Sequence, residues 1–67
     1  MITPREREVL ENISFGYTVK EIANRLYLSS HTIISHKKNL CSKLDAANGP
    51  ELVRKGFQFG YLSLCEG

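Results

Sequence analysis

The chain has 67 residues, 42% of them hydrophobic and 24% charged, and a net charge of +2. That length supports one small domain, residues 1–67, which buries about 60% of its unfolded surface and leaves little volume for an enclosed catalytic pocket, so a binding module is favoured over an enzyme. No apolar run reaches the roughly 18 residues needed to span a bilayer, and Thr3-Pro4-Arg5-Glu6 stands where a secretory signal needs an apolar stretch, so a cytoplasmic protein with no membrane partner is expected.

The first element is predicted over about residues 4–15. Thr3 and Glu6 have the spacing of a capping box, and Pro4 occupies the first helical position, where its missing N–H costs nothing. Val9, Leu10 and Ile13 turn inward, Ile2 closes the entry, and Gly16 marks the stop. A second helix, about 19–26, starts with the same grammar at Thr18 and Glu21, and places Val19, Ile22, Ala23 and Leu26 within one arc at 100° per residue. The third, about 30–44, is capped by Ser29 or Ser30. It aligns Ile33, Leu40 and Leu44 on an inward stripe, with His36 and Lys37 at the edges and His31, Ser35, Lys38 and Ser42 outside, flanked by Ile34. Asp45-Ala46-Ala47-Asn48-Gly49 stops it, and a fourth helix, about 50–59, begins from Asn48 and Glu51 with Leu52, Val53 and Phe57 as its apolar side. Tyr61, Leu62 and Leu64 follow as a tail, and no segment alternates as a strand does, so the fold class is all-α with four helices.

Only Tyr27-Leu28-Ser29 joins the second and third helices, so the two must cross steeply, and Ala23 supplies the small residue that such a crossing needs. These spacings define a helix-turn-helix, although Tyr27 stands where many such turns have glycine. In that architecture the second helix of the pair enters the major groove of DNA while the first crosses the backbone. Charge agrees with this geometry. Residues 20–43 carry Lys20, Arg25, Lys37, Lys38 and Lys43 against Glu21 alone, a net +4, and each flank is −1.

Lys38 is the first choice for a base-edge contact, because an ammonium can donate to the O6 and N7 acceptors of guanine. Ser35 can bond a base or a phosphate, and Ile34 either meets a thymine methyl or packs at the helix seam. His31 is a further base-reading candidate or a solvent-facing residue near the cap. Lys20, Arg25, Thr32, Lys37 and Lys43 are expected to hold phosphates, which position a protein without reading sequence; the alternative for each basic residue is a solvated surface role. The stem of Lys37 is expected to cover core while its head reaches outward.

His31 and His36 are five apart, which is not the spacing that brings two imidazoles to one ion. His36 is therefore expected to be half-buried and bonded to backbone. Cys41 and Cys65 form no metal or redox spacing, no disulfide is expected, and no nucleophile-base pair or phosphate loop is present, so neither cofactor, metal nor catalytic residue is anticipated.

Taken in order, Ile2-Thr3-Pro4-Arg5-Glu6-Arg7-Glu8-Val9-Leu10, Lys20-Glu21-Ile22-Ala23, Leu28-Ser29-Ser30-His31-Thr32-Ile33, His36, Asn39 and Lys43-Leu44 resemble the LuxR/NarL/FixJ-type (GerE-like) helix-turn-helix domain over residues 2–62. The resemblance implies the effector domain of a response regulator or ligand-sensing transcription regulator. It implies double-stranded DNA as partner, a homodimer formed through the last helix at Leu52, Val53 and Gly56, and RNA polymerase as a further protein partner. Two positions depart from the pattern: Ile34 stands where a lysine is common, and Asn48-Gly49-Pro50 replaces an Asn-Arg-Thr phrase, so two expected DNA contacts are missing. Gly56, where alanine is frequent, either permits close dimer packing or softens the helix by up to about 1 kcal/mol. The competing readings are a sigma-factor promoter-reading domain, against which His36 and Lys43-Leu44 argue, and a helical protein-interaction module that has lost DNA binding.

Overall fold

A computed structural model describes residues 2–62. Leu64 and Cys65 lie outside the described residues. Four helices follow one another: α1 (Pro4–Ser14), α2 (Val19–Leu26), α3 (Ser30–Leu44) and α4 (Gly49–Gln58), each within a residue of its expected ends, with no strand among the described residues.

Local chemistry sets these boundaries. The Thr3 hydroxyl accepts from the Glu6 amide at 3.1 Å while the Glu6 carboxylate accepts from the Thr3 amide at 3.0 Å, and Thr18 and Glu21 repeat the exchange at 3.2 and 2.8 Å. Ser29, rather than Ser30, caps α3 by accepting from the Thr32 amide at 3.1 Å. Asn48 caps α4 through its side-chain oxygen, but Glu51 accepts from the Ala47 amide instead of returning to Asn48. Gly16 ends α1 at φ 91°, a conformation that only glycine adopts without strain. Tyr27 and Asp45 end α2 and α3 at φ 58° and 57°. An aspartate tolerates this left-handed region, whereas a bulky side chain such as Tyr27 pays about 1–2 kcal/mol to enter it.

The core is Val9, Leu10, Ile22, Ala23, Ile33, Leu40, Leu44, Leu52 and Leu62. Helices α1 and α3 each touch the other three, so the α3 stripe of Ile33, Leu40 and Leu44 is the central seam. Each of the large side chains in it contributes about 1.5–3 kcal/mol of hydrophobic stabilisation. Ile2, Ile13, Val19, Leu26 and Leu28 pack around its edge, and Ala23 is buried within it.

Two polar residues of α1 lie in this interior without having been anticipated there. Glu6 is buried, and its Oε1 accepts from Lys43 Nζ at 2.8 Å as well as from the Thr3 amide. Burial pushes the Glu6 carboxyl upward, but the Lys43 and Thr3 hydrogen bonds and the Lys43 charge outweigh it and hold the group below the ordinary value of 4.5. Asn12 donates to the Glu8 carbonyl at 2.8 Å and accepts from Arg25 Nε at 3.0 Å, which ties α2 to α1.

Helix α4 corrects an expectation about the dimer surface. Leu52 is 0% exposed, because its stripe is already filled by the domain's own core. Gly56 is buried as well: a Cβ built on it would lie 2.8 Å from Leu62 Cδ1 and 3.1 Å from Leu10 Cδ2. The missing side chain makes room for Leu62 to fold back on α4, and is not left open for a second copy. Val53 is half-buried and Phe57 is 39% exposed, so these remain on the outer flank.

Candidate nucleic-acid interface

At 100° per residue, Ile34, Lys38, His31, Ser42 and Ser35 fall within an arc of about 100° on α3, opposite the buried stripe. All five are exposed, Ile34 at 46%. One side of a fifteen-residue helix thus offers an ammonium, hydroxyls, an imidazole and an apolar group to solvent, while the other is locked into the core. This is the arrangement a groove-reading helix requires: a rigid rod with a chemically mixed outer face. The fixed Ser29 cap holds its amino end, and the Thr32 hydroxyl lies 2.9 Å from Ser29 Oγ, so Thr32 is part of the cap.

The residues expected to hold phosphates divide. Lys20 is exposed on α2 with no ion pair among the described residues. Lys37 is half-buried, and its Nζ and Cε lie beside Gly49 at the start of α4, where a Cβ on Gly49 would be 3.7 and 3.9 Å away. Arg25 is exposed yet held: its Nε bonds Asn12 and its guanidinium lies 4.3 Å from the centroid of the Tyr17 ring, which in turn meets Phe15 edge-on at 6.3 Å. Arg25 is first a clasp between α1 and α2.

Lys43 is a correction to the expected set. Its ammonium neutralises the buried Glu6 carboxylate at 2.8 Å, and a cation so engaged is not free to meet a phosphate without leaving a buried charge unpaired. No periodicity could have shown this, since the partners are 37 residues apart. His36 is half-buried as expected, but no hydrogen bond from it to backbone is present among the described residues. No cluster of His, Cys, Asp or Glu suited to a metal occurs among the described residues, and no helix there is long and apolar enough to cross a membrane.

A short α2, a three-residue turn with Tyr27 left-handed, and the exposed outer face of α3 make the chain a helix-turn-helix protein. Comparison with known proteins gives the family: residues 1–55 match the family described as bacterial regulatory proteins, luxR family, and the chain belongs to it. It is 41% identical over 63 residues, 94% of its length, to the response regulatory protein YgeK of Escherichia coli, and covers 43% of that protein. It is 46% identical over 56 residues to the transcriptional regulatory protein UhpA of Escherichia coli, matching 84% of this chain and 29% of UhpA. To the oxygen regulatory protein NreC of Staphylococcus haemolyticus it is 42% identical over 53 residues, 79% of this chain and 24% of NreC. The chain therefore spans less than half the length of these relatives. The family is one of regulators, in agreement with the expectation that the chain is not an enzyme.

Proposed function

We propose that this chain is the DNA-binding domain of a bacterial transcription regulator, reading double-stranded DNA in the cytoplasm by inserting α3 into the major groove. The observation that carries the reading is the two-faced α3: Ile33, Leu40 and Leu44 are buried while Lys38 and Ser35, directly behind them, are exposed. Lys38, Ser35, Ile34 and His31 supply base contacts, with Ile34 against a thymine methyl in place of the lysine common in the family. Lys20 and Thr32 hold phosphates, Lys37 and Arg25 add positive charge at the flanks, and Lys43 is withdrawn from the set. Relatives named as transcriptional and response regulators support this assignment.

The same proposal includes a homodimer on the operator, with RNA polymerase as the protein met there. Dimer contact falls to the outer flank of α4, at Val53 and Phe57, since Leu52 and Gly56 are used internally. Selection of bound sites from a random duplex pool tests the reading. An enriched sequence with two inverted half-sites is expected; a pool that stays random contradicts sequence-specific binding, and a single unrepeated site contradicts the dimer.

A further inference from the structure

Tyr27 is poorly suited to the position it holds. Its backbone is left-handed, with φ 58° and ψ 41°, a conformation that glycine enters freely and a bulky residue enters only at a cost. The residue is 94% exposed, and among the described residues its side chain makes no hydrogen bond, ring contact or cation contact. Neither turn geometry nor packing accounts for an aromatic ring there.

The turn that carries the ring is firmly built. The Tyr27 amide donates to the carbonyls of Ala23 and Asn24, and the Leu28 amide donates to Ala23 at 2.9 Å, with Leu28 packed against the core. Tyr27 therefore projects from a fixed base at the amino end of α3, two residues before the Ser29 cap and four before His31, where the exposed face begins. It lies inside the stretch 20–43 whose net charge is +4. A phenol O–H there has the chemistry of a phosphate donor: tyrosine is among the side chains that bond the DNA backbone and fix the register of a reading helix.

We propose that Tyr27 is a DNA-backbone contact whose phenol O–H donates a hydrogen bond to a phosphate flanking the groove that α3 enters. The inference rests on the DNA-binding reading above and adds to it a neutral anchor. Being uncharged, this anchor displaces no counterion, so its removal lowers affinity without changing the salt dependence.

The test is titration of the 67-residue chain and its Tyr27→Phe and Tyr27→Gly variants against the selected duplex and a random-sequence duplex over a salt series, with thermal unfolding alongside. Both variants should bind each duplex about tenfold more weakly, the loss of one hydrogen bond to a charged group. The slope of log K against log salt should not change. Tyr27→Phe should keep the wild-type Tm, and Tyr27→Gly should hold it or raise it by up to about 4 °C as the strained turn relaxes. Wild-type affinity in Tyr27→Phe, a loss confined to the selected duplex, a flatter salt slope, or a Tyr27→Gly chain less stable than the wild type would each overturn the proposal. If the wild-type chain itself binds neither duplex, the failure belongs to the DNA-binding reading.

Discussion

Lys38 and Lys43 lie on one helix, yet the first faces solvent and the second reaches into the domain to meet Glu6. Five residues of α-helix turn the chain through about 140° beyond a full circle, enough to carry one lysine to the outer face and the other to the α1 side. Lys38→Ala is expected to cost about 1–3 kcal/mol on the preferred duplex and to relax base preference at one position. Binding titrations on the preferred and random duplexes check it, and an equal loss on both would make Lys38 a phosphate contact. Glu6, whose folded carboxyl is held below 4.5, contributes stability that is present above that value and lost as pH falls through the folded pKa. Urea unfolding of the wild type should therefore weaken on the acid side of about pH 4.5, and Glu6→Gln should lower stability by about 1–3 kcal/mol at pH 7 and make that acid slope shallower. An identical acid slope in the two proteins would show that the Glu6–Lys43 pair stabilises nothing. The capping role of Glu6 was legible, because it depends on a residue three positions away. Its burial and its long-range partner were not, because both depend on how α1 and α3 dock.

At the level of helices, spacing alone located all four, since caps and apolar periodicity are encoded within a few residues. The exceptions occur where a helix end meets another part of the chain. Glu51 has the capping-box position but bonds Ala47, because the chain before Asn48 turns so as to present that amide. Gly56 illustrates the same dependence. Viewed within α4 it is only a poor helix former, whose replacement by alanine should stabilise by up to about 1 kcal/mol. In the folded domain its Cβ position is closed by Leu62 and Leu10, and overpacking of that kind costs about 1–3 kcal/mol. Gly56→Ala is accordingly expected to lower stability by about 1 kcal/mol, read as a Tm fall of about 4–8 °C in a domain of this size. A rise in Tm would mean that Leu62 moves aside freely and that helix propensity governs the site.

For the whole molecule, the distribution of charge sets the expected salt response. Four cations expected on phosphates, Lys20, Arg25, Lys37 and Lys43, would give log K a slope of about −3.6 against log salt, and withdrawing Lys43 into its pair with Glu6 reduces this to about −2.7 per domain. Affinity measured on one half-site over a salt series checks the figure, and duplex binding that ignores salt would favour the protein-interaction reading. The sequence by itself determined four helices, their caps, the short α2–α3 connection and the outer face of α3, because each follows from residues within one or two helical turns of one another. Which groups are engaged by the fold was decided only when the helices packed: Leu52 and Gly56 of the expected dimer surface are buried, Lys43 of the expected phosphate set is paired with Glu6, and Arg25 is held by Asn12 and Tyr17. Contacts between residues far apart in the chain have no period to betray them, so only the docked helices could reveal which side chains were left for a partner.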